Sequence, residues 1–337
     1  MSRASEIQSA IAACLPPQTE ADGSALIRRF PEAVTRLEVV GPFRSREFDR
    51  AYHLVQVETT VEDADLDDID DDDGLDMANR LAMHGAFFAL QDNRFRLRAS
   101  ASIYDGDEAA DFYAWLFARV FWQQGAAAVA VLNSVRSRAQ LAEWREGLSY
   151  RMDWETPPTA DQYAESLKNL RDYQGLVANA DKSGLIFEVP LASDSARSRS
   201  IDPLAVTALL SIRTDLRHPL FGVGYAFSIE LPLQTTREVA SAWAARLNIE
   251  EQRDADTVPR LGAWSGLQGI EPDMTSSGRE AELRYSGFIP TAIPGVVPIA
   301  MLVDWLALRT VWMRDTYWKA IQDEVVPRSD DWRGDDE

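Results

Sequence analysis

Residues 51–61, AYHLVQVETTV, alternate apolar with polar positions and are rich in valine and threonine, the pattern of a strand with one buried face. The same reading applies to AFFAL and RFRLRASASIY, joined by a turn at QDN, and to GLIFEVPL, LAVTALLSI, VGYAFSIELPL, LGAWSGL and AELRYSGFIP further on. Pro232 marks a strand end or an edge position, because proline cannot donate to a ladder. Elsewhere the apolar period lengthens to that of a helix. Leu75, Ala78, Leu81 and Ala82 keep this spacing, with Gly85 as the expected stop, and so do Phe112, Trp115, Leu116, Ala118 and Trp122. Further helices are expected from the N-terminus to Pro16-Pro17, around Ser24 to Phe30, over the polar run ADQYAESLKNLRDYQGLV, over TTREVASAWAARLN, and over the segment carrying Trp305 and Trp312.

The pattern is written twice. AWLFARVFWQQG from Ala114 and DWLALRTVWMRD from Asp304 share Trp-Leu, an Arg four places after the first Trp and a second Trp seven places on. Upstream, HLVQVETTV answers AFSIELPL, MANRLA answers WAARLN, FFAL answers LGAW, and RLRASAS answers ELRYSGF, all in one order. Duplication follows, with differences confined to loop lengths. Each unit predicts an antiparallel sheet with flanking helices, so the fold class is α+β in two tandem domains. The division expected is an N-terminal helix (1–20), a first domain (21–149), a helical linker (150–184), a second domain (185–326) and an acidic tail (327–337). In this reading the repeated tryptophans cover the apolar side of each sheet over two helical turns.

Composition narrows the partners. A chain of 337 residues with 46% hydrophobic residues supports more than one core. Its net charge of -20, with no basic stripe, argues against phosphate backbones and anionic headgroups, so neither nucleic acid nor membrane is expected as a partner. No apolar run approaches the ~20 residues of a transmembrane helix. A single cysteine, Cys14, offers no disulfide framework, and the N-terminus lacks the apolar stretch of a signal peptide, which together suggest a reducing cytoplasm. Ten carboxylates between Glu62 and Asp76 predict a solvated loop.

The second half, through GLIFEVPL, TALLSIRTDLRHPLFGVGYAFSIELPL, AARLN, LGAW and SGFIPTA, resembles the YbjN-like proteins of the type III secretion chaperone-like superfamily, in the branch proposed to bind peptides. The first half is similar to the same domain through ANRLA and RFRLRASASIYDGDEAA. The resemblance implies a helix-sheet-helix module that holds extended segments of other proteins, with two modules in one chain forming a built-in pseudo-dimer.

Catalytic signals are few. His53, His84 and His218 form no i, i+4 pair, and His218 before Pro219 reads as a turn cap. FGVGYAF lacks the third glycine of a dinucleotide fingerprint, and GAWSG misses the nucleophile elbow by one position. An EF-hand register with Gly74 sixth places Ile69 first and Arg80 twelfth, where carboxylates are needed. The sequence therefore points to a non-enzymatic peptide-binding chaperone or adaptor that holds a client on a sheet edge or in a helix-lined groove. Candidate contacts are Trp243, Trp264, Phe288, Ile289 and Trp305, with Phe87 and Phe88 in the first module; core packing is the ordinary reading of such tryptophans, and the groove reading requires some of Trp243, Trp264 and Trp305 to be exposed. No metal site and no cofactor are expected, and the chain is read as a pseudo-dimeric monomer or a homodimer. The alternatives are a metal-dependent hydrolase using Asp67 to Asp73, or a scaffold component of a bacterial phage-defence system.

Overall fold

The computed structural model describes residues 2–16, 19–45, 49–61, 72–82, 84–89, 94–106, 110–137, 145–146, 176–181, 184–191, 207–233, 235–251, 260–268, 281–290 and 299–325. The chain forms α1 (Arg3–Ala13), β1 (Glu20–Asp22), β2 (Ala25–Arg29), β3 (Ala33–Arg44), β4 (Ala51–Val61), α2 (Asp72–Arg80), β5 (Ala86–Ala89), β6 (Phe95–Tyr104) and α3 (Ala110–Arg136). There follow β7 (Arg145–Glu146), β8 (Leu176–Asp181), β9 (Gly184–Pro190), β10 (Thr207–Arg213), β11 (Leu216–His218), β12 (Gly222–Leu233), α4 (Arg237–Glu250), β13 (Ala263–Gln268), β14 (Ala281–Pro290) and α5 (Ile299–Met313). A π-turn (Arg314–Trp318) leads into α6 (Lys319–Val325).

Both sheets are antiparallel and share one topology. The first runs β1-β2-β3-β4-β6-β5, and the second runs β8-β9-β10-β12-β14-β13, with β11 and β7 attached beside β12. Strand for strand the orders correspond, as duplication requires. The likeness reaches single residues: Glu58 lies directly opposite Arg98 on the outer face of the first sheet, and Glu230 directly opposite Arg284 on the second, each pair joined as an ion pair.

Alternation decides which face is buried. Val55 and Val57 on β4 and Ala99 and Ala101 on β6 turn inward beneath α3, whose Leu116, Phe117, Val120 and Phe121 cover them, while Leu97 packs with Val131 and Leu132 further along the helix. In the second sheet Leu210, Ile212, Phe227, Ile229, Leu283 and Tyr285 do the same beneath α4 and α5. One apolar cluster runs through both halves, from Ile7 and Ile11 of α1 to Ile321 of α6, so the N-terminal helix belongs to the core of the first half. At about 25 cal/mol per Å² of apolar surface removed from water, this shared burial resists separation of the halves.

Several elements differ from the sequence expectation. Ser24 to Phe30 is not helical; Ala25–Arg29 is strand β2, whose pairing with β1 and β3 overrides the local spacing. Leu176–Asp181, expected at the end of the helical linker, is β8 and pairs with β9. The acidic loop stops sooner than expected, since Asp72, Asp73 and Asp76 belong to α2, while 62–71 lie outside the described residues. Gly85 lies past the end of α2, and its φ of +93° serves a close approach: a Cβ there would come within 2.0 Å of the Arg98 carbonyl.

Of the four repeated tryptophans, only Trp305 is buried against its sheet. Trp115 and Trp122 lie half-buried on the flank of α3, beside the Phe-Leu face that does the packing. Trp305 is buried: it faces a small space beside Phe227 and Tyr285 of the second sheet and stacks on Tyr113 of α3 with ring centroids 6.0 Å apart, its Nε1 donating to the Tyr113 hydroxyl at 3.3 Å.

Candidate functional site

Trp243, Trp264, Phe288, Ile289, Phe87 and Trp305, the residues expected to touch a client, are all core, with Trp305 the most exposed at 7%. The Phe88 side chain lies outside the described residues. Their hydrophobicity, which suggested a contact surface, is used up in packing. Trp264 carries a buried polar assembly: its Nε1 donates to Glu251 Oε1 at 2.7 Å, while the other Glu251 oxygen accepts from Arg309. The Arg309 guanidinium lies 4.0 Å above the Tyr285 ring. Burial acts to lower the Arg309 pKa, but Glu251 and Tyr285 outweigh it, so the cation is held. Burial pushes the Tyr285 hydroxyl up to about 12, against the pull of Arg309.

Two sheet edges are occupied as well. Asn79 of α2 accepts from the Phe87 amide at 2.7 Å and donates to the Phe87 carbonyl at 3.2 Å. Asn248 of α4 holds Trp264 in the same way, with both bonds at 2.8 Å. Asp76 Oδ1 then accepts from Gly266 N at 2.6 Å, one step further along β13. Outward backbone groups of Phe87 on β5 and of Trp264 and Gly266 on β13 are thus bound by side chains, which hinders an added strand there. These clamps also correct the sequence register. They align Asn79 with Asn248, whereas the shared Arg-Leu words had set Ala82 against Asn248.

The concave feature lies elsewhere, on the outer face of the second sheet. Cross-strand register places Ile186, Ser211, Ser228 and Ser286 in one row across β9, β10, β12 and β14. At about 4.8 Å per strand this row is about 14 Å long. Leu209, Glu230 and Arg284 flank it on one side, Arg213 and Ala226 on the other. Because serine and alanine are short, the row is a trough, and Arg80 from α2 of the first half and Leu216 of β11 complete a cavity of about 250 Å³. Ser228 donates to Glu230 at 3.1 Å, which leaves Ser211 as the donor in the 2.8 Å contact between the two hydroxyls. The serine oxygens therefore keep lone pairs for a guest's N–H groups. Arginines at the rim are held by neighbours, Arg213 by Asp215 at 2.5 Å and Arg284 by Glu282 at 2.7 Å and Glu230 at 3.4 Å.

None of the trough residues was singled out from the sequence, since a row across strands joins positions from 186 to 286 and no local spacing marks it. Cross-strand pairing of small polar residues is the signal that finds it. His218 does cap its turn as expected: Nδ1 accepts from the amides of Leu220 and Phe221 at 3.0 and 3.3 Å. Of the carboxylates Asp67 to Asp73, positions 67–71 fall outside the described residues, and no group of three or more metal-ligating side chains occurs among the described residues. No described helix is long and apolar enough to cross a membrane. No protein-family model, no curated protein and no solved structure matches the chain.

Proposed function

We propose that the chain is a non-enzymatic peptide-holding chaperone or adaptor, and that the serine trough, rather than the aromatic residues of the core, receives the client. The observation that carries this reading is the trough itself. At about 250 Å³ it falls just below the roughly 300–1,000 Å³ of small-molecule sites, while its about 14 Å length matches about four residues of extended chain at about 3.3 Å each. It offers acceptors along its floor and guanidinium donors at its rim, both of which a peptide backbone requires, and Ile186, Leu209 and Leu216 supply apolar contact. The clamps hinder strand addition at β5 and β13, so in this reading a client lies across the sheet face. A wall from the first half and a floor from the second allow one chain to supply what two subunits of a dimer would.

Purification of the chain from its native cells, followed by mass spectrometry, tests this when three forms are compared. A dominant partner should accompany the unsubstituted chain and a Phe43→Ser control on the first sheet, and be lost from Ser228→Gln, which fills the trough. Recovery of the chain alone, or retention of the partner by a folded Ser228→Gln protein, overturns the proposal.

A further inference from the structure

The trough's Arg80 wall belongs to α2, and α2 with the residues that follow it is where the halves make polar contact. Besides the Asp76–Gly266 bond, His218 Nε2 meets the Leu81 carbonyl at 3.2 Å and the Gly85 amide donates to the Leu261 carbonyl at 3.1 Å. Arg260 and Ser100 exchange two backbone bonds, of 2.7 and 3.2 Å, along the part of β6 that β5 leaves unpaired. The chain has three histidines, and two of them are buried here: His218 on the second-half side and His84 in the α2–β5 connection. Both His84 ring nitrogens lack a hydrogen-bond partner among the described residues; the Gln123 amide faces the ring without completing a bond. The His218 ring packs at a tilt against Phe221 and Phe288, with centroids 4.6 and 4.9 Å away.

We infer that acid opens this junction: protonation of His84 and His218 releases α2 from the second half and removes the Arg80 wall of the trough. Each imidazole is accommodated in its neutral form, and a charged ring cannot remain in such apolar surroundings without solvent. Among the described side chains of the neighbouring first-half elements, the Asp, Glu and Arg residues are Asp76 and Arg80 of α2, Arg96 and Arg98 of β6, and Asp111, Arg119 and Arg136 of α3. On the second half they are Arg217 of β11, Glu230 of β12, Arg260, and Glu282 and Arg284 of β14. Asp76 is engaged with Gly266, Glu230 with Ser228 and Arg284, and Glu282 with Arg284.

Burial is the first cause lowering both histidines, His84 to about 4 and His218 to about 3, opposed weakly by Gln123 and by the Leu81 carbonyl respectively. Because the docked values lie below the ordinary 6.5, the open state binds more protons. Docking strength is complete above about pH 6.5 and is lost as pH falls toward these values.

The consequence for a client rests on the trough being its site; the acid sensitivity of the junction does not. Hydrogen exchange of the full chain, with no partner added, at pH 7.5 and pH 5.0 and corrected for intrinsic rates, therefore tests the junction separately. Protection over residues 72–82 and 260–268 should fall roughly 30-fold for each histidine released, while residues 51–61 keep theirs. The His84→Gln/His218→Gln double variant should lose that pH dependence. Unchanged protection, an equal fall in all segments, or the same pH dependence in the double variant overturns the inference. If the double variant does not fold, each single variant should keep about half of the dependence on a logarithmic scale, and a full dependence in both is equally adverse.

Discussion

The two halves use the same helix words around different cores. Once the asparagine clamps set the register, Glu251, Trp264 and Arg309 of the second half correspond to Ala82, Phe87 and Arg119 of the first. In the second half these three residues form a buried ion pair tied to an indole N–H. In the first, alanine and phenylalanine replace the acid and the indole, and Arg119 stays partly exposed with its guanidinium 6.0 Å from the Trp115 ring. A Trp-Leu-x-x-Arg word therefore fixes a helix face without fixing the environment of its arginine. Whether the arginine goes inside depends on a carboxylate contributed by another helix.

The largest effect that would break or confirm this contrast comes from Arg309→Ala. Removing the cation leaves Glu251 buried and uncompensated, at a cost of about 3–5 kcal/mol, whereas Arg119→Ala should cost less than about 1 kcal/mol. Urea unfolding of the two variants measures both; equal losses would show that the halves are not differently wired. The clamps should instead behave alike. Asn79→Ala and Asn248→Ala each strand a backbone amide and a carbonyl, for about 2–4 kcal/mol apiece, with matching loss of exchange protection at Phe87 and Trp264. A clamp that proved costless in one half would show that its edge is held by other means.

The smallest effect on stability is expected at the outer faces, where the halves differ most in shape. The row that reads Ser211, Ser228, Ser286 in the second sheet reads Glu38, Gln56, Ser100 in the first. Longer side chains fill the first face, and short ones hollow the second. Ser228→Gln imports the first half's choice and should change unfolding free energy by less than about 1 kcal/mol while abolishing partner recovery. A large loss of stability would instead assign the serine row to structural support.

Strand existence was legible because alternation reports directly on burial of one face, as β4, β12 and β14 illustrate. The misread segment at Ser24 to Phe30 is short, and its conformation is decided by partners on β1 and β3 that no local window includes. The aromatic candidates lie in the core for a related reason. Hydrophobicity signals burial first and a contact surface only where the side chain stays exposed, and Trp243, Trp264, Phe288 and Ile289 are packed in the core. The clamps and the trough could not be read in advance, because both depend on which backbone groups and short side chains come to face one another after the sheets are assembled.

The clamps at β5 and β13 also bear on how the protein behaves when concentrated. An edge strand whose central outward amide and carbonyl are already bound offers an identical strand on a neighbouring molecule a broken template, so fibrillar growth by stacking is discouraged at both places. Three short polar side chains, carried on helices that pack beside these strands, thereby protect the edges from a second molecule.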